Sequence, residues 1–172
     1  MPAETATSQP GEPPGPSSFE AELRATTTLL RLMGDCEDLK ELAGEVITYL
    51  RAWSGCEAVG LRLKEGADFP YYETRGFPGA FVLLESHLCA RDPGGAESQD
   101  DQGRPILECM CGNILQARTD PLQPFFTRTG SFWTNSTSAL LYGTTDDSRG
   151  AHTRNRCNLE GYESVALVPV RR

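Results

Sequence analysis

The feature that most constrains this chain is a change of hydrophobic period at Gly55. Before that residue, Leu39, Leu42, Ala43, Val46, Leu50 and Trp53 recur every three or four positions. This is the stripe of an amphipathic helix, with Asp35 placed to cap its start and Gly55 to end it. After Gly55 the period drops to two, because Val59, Leu61 and Leu63 alternate with Gly60, Arg62 and Lys64. That alternation predicts a strand with one buried face. Glu65-Gly66-Ala67-Asp68 supplies a turn, and Tyr71 to Arg75 reads as the returning strand of a hairpin. Pro70 falls near its start, where a missing N–H does least harm.

Upstream, Phe19, Leu23, Leu30 and Met33 recur at helical intervals from the capping-box pair Ser17 and Glu20 to Gly34, predicting a first helix over 19–33. Residues 1–18, which include Pro10-Gly11-Glu12-Pro13-Pro14-Gly15-Pro16, are too poor in apolar side chains to offset ordering entropy and predict a disordered tail. Residues 19–172 are then a single domain. From Gly76 to Gly130 the periodicity fades, and Asp92 to Arg104 reads as an exposed acidic loop. Phe132-Trp133 suggests a short strand, Thr145 to Arg154 a helix interrupted by Gly150, and Ser164 to Val170 a last strand. No internal repeat is evident.

Charge and hydropathy exclude several functions. Sixteen basic against twenty-four acidic residues give a net charge of -8, without the positive field that holds nucleic acid. No run of 18 or more apolar residues predicts a membrane span, and Met1 to Phe19 lacks the basic start and apolar core of a signal peptide. The expected location is therefore the cytoplasm. The six cysteines are accordingly read as reduced thiols rather than as a disulfide framework.

Four of them, Cys89, Cys109, Cys111 and Cys157, are the candidate site. In an extended segment Cys109 and Cys111 face the same side, and Gly112 follows directly. Cys89 and Cys157 complete a four-thiolate metal site if the fold brings the segments together. Zinc usually takes C-x₂₋₄-C pairs, and its tetrahedral sulfurs lie about 3.8 Å apart, against about 6.6 Å for alternate strand residues. An iron–sulfur cluster spreads its ligands over several iron atoms, although the usual ferredoxin spacings are absent. Zinc is thus the alternative to a cluster; redox switching and plain burial of the thiols stay open beside both.

Other residues read more plainly. Cys36 and Cys56 are expected to pack as small hydrophobes. His87 is an ordinary loop histidine that could replace one thiolate, and His152 a surface residue. Arg149, Arg154 and Arg156 are expected on a solvated helix face, with anion binding as the alternative. Phe125, Phe126, Phe132 and Trp133 are expected in the core. No G-x-S-x-G, H-E-x-x-H, P-loop or G-x-G-x-x-G pattern occurs, so catalysis is not expected.

The strings WSGCEAVGLRL (53–63), FPYYETRGFP (69–78), LECMCGN (107–113), SFWTNST (131–137) and TRNRCNLEGYESVALVPV (153–170) resemble a cysteine-containing subgroup of GAF domains. That subgroup is found in bacterial sensor histidine kinases and related signalling proteins. The resemblance implies an α+β fold, with a central antiparallel sheet and helices on one face, and a sensory, ligand-binding role for a gas, small molecule or metal centre. It also implies a further central strand and final helix that do not occur before Arg172, leaving an open sheet edge. A homodimer or a neighbouring signalling domain would be the partner. Two other functions remain beside it: a structural dimerisation domain with buried cysteines, and a thiol enzyme like the free methionine-R-sulfoxide reductases, which also resemble GAF domains.

Overall fold

The computed structural model describes residues 19–170, so the tail expected over 1–18 and the Ser17 cap lie outside the described residues. Helix α1 runs from Phe19 to Asp35 and α2 from Leu39 to Ser54. The cap of α2 is Asp38, not Asp35 as expected. Asp35 still belongs to the last turn of α1, whereas the Asp38 carboxylate accepts the Glu41 N–H at 2.8 Å. Glu41 in turn accepts the Glu37 N–H at 2.8 Å, tying the residue before the cap to the first turn. Gly55 ends the helix in the left-handed region at φ 69°, donating to the Arg51 carbonyl as its position predicts.

Strands β1 (Val59–Arg62) and β2 (Tyr71–Arg75) form the expected hairpin, with Val59 opposite Arg75 and Leu61 opposite Glu73. Beyond it the chain turns sharply at Gly76, φ 84°, where an added Cβ would stand 2.1 Å from the Glu57 carbonyl oxygen. Only glycine fits there.

The segment from 76 to 130 is more ordered than its lost periodicity suggests. It contains α3 (Gly79–Glu85) and α4 (Cys109–Leu115), and between them two tight turns. Asp92 and Asp100 each accept a backbone N–H three residues on, from Gly95 and Gly103, both at 2.9 Å. Their side chains accept the N–H groups of Ala96 and Arg104. Ala90 donates to Ile106, Ile106 to Ser98, and Ser98 to Ala90, closing a ring of backbone hydrogen bonds at 2.8 to 3.0 Å. This is a duplicated turn at eight-residue spacing, which apolar periodicity cannot register because its repeating residues are aspartate and glycine.

The remainder comprises β3 (Phe132–Thr134), α5 (Thr137–Gly143), α6 (Asp146–Arg149), α7 (Arg156–Leu159) and β4 (Val165–Leu167). The helix expected over 145–154 is a single turn: Thr145 and Ser148 cap it reciprocally and Gly150 ends it at φ 70°. The fold is α+β, as expected. Its strands lie in two separate antiparallel pairs, β1–β2 and β3–β4, rather than in one central sheet. A run of rings leads from β2 to the segment before β4: Tyr71 tilted against Phe77 at 5.7 Å, Phe77 stacked on Phe81 at 5.1 Å and Phe81 edge-on to Tyr162 at 5.6 Å.

Helix α4 separates two buried clusters. Met110 and Ile114, one turn apart, join Phe125, Phe126 and Phe132, against which Leu140, Val165 and Leu167 pack. Cys111 and Leu115, the adjacent row, pack on Leu88, Cys89 and Leu107. Trp133, expected in the core, is 48% exposed, because the strand alternation that buries Phe132 turns its neighbour outward. No helix among the described residues is long and apolar enough to cross a membrane.

Candidate functional site

The Cys109-Met110-Cys111 segment, expected to be extended with both thiols on one side, instead opens α4. Alternate residues on a helix diverge, yet both thiols border one cavity. The reason lies in the backbone of Cys109, which sits at φ 61°, outside the helical register. A left-handed residue with a Cβ costs about 1–2 kcal/mol, and its surroundings hold it there. The Cys109 N–H donates to the His152 carbonyl at 2.8 Å, and the Arg154 N–H donates to Cys109 Sγ at 3.3 Å. Outliers held in this way cluster at functional sites.

Cys157 enters the same cavity from α7, whose approach is set by a second left-handed residue, Asn155 at φ 58°. Met110, Phe132, Leu140, Leu141, Val165 and Leu167 form the apolar wall, with Arg149, Thr153 and Asn155 around them. The cavity is about 80 Å³, roughly half the ~150 Å³ apolar void known to hold benzene. It therefore suits a diatomic or a molecule of a few heavy atoms.

Cys89 does not line this cavity. It pairs with Leu107, and its thiol donates to the Ala67 carbonyl at 3.6 Å. Cys111 is common to both places, bordering the cavity and packing on the cluster that contains Cys89. Burial pushes the thiols up to about 11 at Cys111 and about 12 at Cys157, where proximity to Cys111 adds to the effect. Burial and then Asp68 push Cys89 up to about 11. All three are neutral thiols at pH 7. Among the described residues, no group of three or more His, Cys, Asp or Glu side chains is arranged to hold a metal ion.

The arginines are not a solvated face, which corrects the expectation for Arg149 and Arg154. Arg149 is 6% exposed and turns inward to the Thr144 carbonyl, Asp146 and Thr153. Arg154 and Arg156 converge on Glu85, whose side chain is 5% exposed, at 3.1 and 3.2 Å. Arg62 reaches the same point from β1, donating to the Glu85 carbonyl at 2.5 Å and lying 3.7 Å over the Tyr71 ring. Strand alternation assigned Arg62 to the solvent side; the bulge between Leu61 and Arg62 and the cover of α3 place it inside. Glu85 and Arg62 are the residues that sequence reasoning missed, and a lone glutamate ending an apolar run, Phe81 to Leu84, was the available signal.

His87 lies 3.3 Å from Asp68 and away from the cavity, while His152 contacts Asp146 at 2.9 Å. Cys56, expected to pack, is exposed because it follows the C-cap of α2 rather than entering β1. Phe125, Phe126 and Phe132 are core residues, as expected.

The Asp146 clasp carries a pH prediction. Hydrogen bonds from His152 and then Arg149 lower its carboxyl to about 2. A depressed carboxylate stabilises the fold above its unfolded value and loses that contribution as pH falls through the folded value. Stability should therefore drop between the ordinary aspartate value near 3.8 and about 2, and less steeply in Asp146→Asn. Acid titration of both proteins by circular dichroism measures the difference.

Comparison with known proteins returns no matching family model, no matching curated protein and no matching solved structure.

Proposed function

We propose that this chain is a sensory ligand-binding domain of a signalling protein, of the GAF kind its sequence strings resemble, and that its input is a diatomic gas or small apolar molecule. The observation that carries the reading is the apolar cavity of about 80 Å³ walled by Cys109, Cys111 and Cys157. Its walls come from the segments that bear the resemblance, LECMCGN and TRNRCNLEGYESVALVPV. Neutral thiols at Cys111 and Cys157, and a wall that holds no histidine among the described residues, favour binding over thiol catalysis. Because α4 packs on both buried clusters, an occupant that displaces Cys111 also moves the Leu88–Cys89–Leu107 side. A change at the cavity is thereby passed through a packed helix to a second region.

Xenon is the direct probe, being apolar and small enough for such a void. Xenon pressure should shift the amide resonances of α4, α5 and α7 saturably in the wild type. It should leave them unmoved in Leu141→Phe, which fills the cavity. Unshifted wild-type resonances would remove the cavity as the input site.

A second reading is a metal-centre sensor holding an iron–sulfur cluster or zinc. It is favoured by the gathering of three thiols from two distant segments at one cavity, with Cys89 one packing layer away behind Cys111. It requires Cys89 to move to the cavity and the thiols to deprotonate on binding. Anaerobically purified protein with stoichiometric iron or zinc, lost in Cys109→Ala/Cys111→Ala, would establish this reading over the first. Metal-free protein of unchanged stability would reject it.

A further inference from the structure

The three thiols that border the cavity are not equivalent. Burial pushes Cys111 up to about 11 and Cys157 up to about 12, so both stay protonated at pH 7, whereas the thiolate is the form that attacks an electrophile. Cys109 is placed differently. The Arg154 N–H is aimed at its sulfur at 3.3 Å, a contact that strengthens as charge gathers there. The Arg154 guanidinium stands beside the same sulfur: burial lowers it, but Cys109, Glu85 and Glu108 outweigh burial and raise it. The left-handed backbone of Cys109, tied to the His152 carbonyl at 2.8 Å, fixes this arrangement.

The cavity selects what reaches that sulfur. Its charged wall residues are already paired, Arg149 with Asp146 at 2.6 Å and Arg156 with Glu85 at 3.2 Å, and most of the remaining wall is apolar, so an uncharged occupant fits it best. At about 80 Å³ it takes only a few heavy atoms. One polar group on the wall is unspent. The Arg149 side chain is 6% exposed; its terminal nitrogens donate to Thr144, Asp146 and Thr153, but its Nε–H has no acceptor among the described residues. A buried donor left alone costs about 1–3 kcal/mol, and a carbonyl oxygen supplies the acceptor it lacks. A nucleophile from α4 and a free donor from α6 thus border one small, mostly apolar space.

We infer that Cys109 is a covalent capture site for a small, uncharged α,β-unsaturated carbonyl compound, with Arg149 as the donor to its oxygen. The inference rests on the cavity being the input site of the proposed sensor. The Cys109 sulfur, having given its proton to water, adds to the β-carbon of the electrophile. An S–C bond forms, the C=C π pair shifts toward the carbonyl so that an enolate develops on the oxygen, and a proton returns from water to the α-carbon. The adduct is the sum of thiol and electrophile, so no oxidant or reductant takes part. Bulk on the sulfur displaces the Arg154 N–H, and with it the segment that leads into α7.

Competition between two thiols of the full chain tests this, with acrolein as the small probe and N-phenylmaleimide as the bulky one. Cys56, exposed beyond the end of α2, is the internal reference. Site-resolved mass spectrometry at limiting acrolein should show Cys109 modified at least ~10-fold faster than Cys56, a small part of what positioning in a site supplies. N-phenylmaleimide should reverse that order. Leu141→Phe, which fills the cavity, should remove the preference for Cys109 and leave the Cys56 rate unchanged. Arg149→Lys keeps the charge for Asp146 but lacks the Nε donor; it should slow Cys109 at least ~10-fold toward acrolein and leave its rate with methyl iodide, which develops no enolate, unchanged. Equal acrolein rates at Cys109 and Cys56, a preference for Cys109 that persists with N-phenylmaleimide, or one indifferent to Leu141→Phe would each overturn the inference. Equal slowing toward acrolein and methyl iodide in Arg149→Lys would remove Arg149 from it. Xenon shifts without selective alkylation would leave the cavity as the input site and reject the capture alone; the absence of both would reject the two together.

Discussion

Gly112→Ala is expected to destabilise the fold by about 2–4 kcal/mol, although it replaces glycine by the best helix former. Two effects oppose each other. Glycine to alanine inside a helix gains up to ~1 kcal/mol of intrinsic propensity. Against it, a Cβ at Gly112 would meet the Leu107 carbonyl oxygen at 2.5 Å, its carbonyl carbon at 2.6 Å and its Cβ at 2.7 Å. Two of those three are backbone atoms, which cannot swing away as a side-chain tip would. The Leu107 carbonyl is also engaged, accepting from Arg118 at 2.7 Å. Overpacking of this kind costs about 1–3 kcal/mol, and more where backbone must shift. Helix α4 must therefore lift off Leu107, carrying Cys109 and Cys111 away from the cavity. Denaturant unfolding measures the loss, and the xenon response should vanish with it. A variant as stable as the wild type would show that α4 does not sit so close to Leu107.

Glu85→Ala is expected to cost about 3 kcal/mol, the usual effect of removing one partner from a buried ionic cluster. The carboxylate is the common anion for Arg154 and Arg156, and its backbone carbonyl accepts Arg62. Without it the arginines lose their shared anion; Glu108, 3.7 Å from Arg154 Nε, remains beside Arg154. Arg156 is 39% exposed and can turn to water, which keeps the loss from being larger. Burial raises the Glu85 carboxyl above its ordinary value, and the three arginines only partly offset that. Charge at this position is thus carried at a net penalty, so Glu85→Gln should lose much less than Glu85→Ala. The raised value also has a sign. The contribution of Glu85 is fullest below the ordinary glutamate range and falls as pH rises through the folded value. Stability curves of wild type and Glu85→Gln, followed upward from about pH 4, should therefore nearly coincide at the acid end, with the wild type falling relative to the variant as pH rises.

The two variants act on the same cavity through different contacts. Gly112 sets how close α4 approaches Leu107, and Glu85 anchors the arginines that hold 154–156, the segment bearing Asn155 and leading into Cys157. Loss of either should loosen the thiols without touching them.

Local signals carried the first half of the fold. The stripe of α2, the Gly55 stop, the hairpin and its turn were all legible in residues 39–75, because caps, periods and turns depend on neighbours within a few positions. The same signals misplaced a cap by three residues, since Asp35 and Asp38 are chemically alike and only the length of α1 separates them. The four cysteines were legible as a group, and three do border one cavity. They meet there not as an extended pair but because a left-handed cysteine opens a helix.

What the sequence determined by itself was therefore the local grammar: where helices stop at Gly55 and Gly150, where the chain reverses at Glu65–Asp68, and which apolar residues share a face. Tertiary structure alone decided which face is buried. Phe19, Leu23, Leu30 and Met33 form as good a stripe as any in the chain, yet they are exposed, whereas Arg149, Arg154 and Glu85 lie inside. Periodicity measures how side chains are distributed around one element. Burial depends on what a distant segment brings against it, and an arginine enters the interior once a carboxylate from another part of the chain is there to meet it.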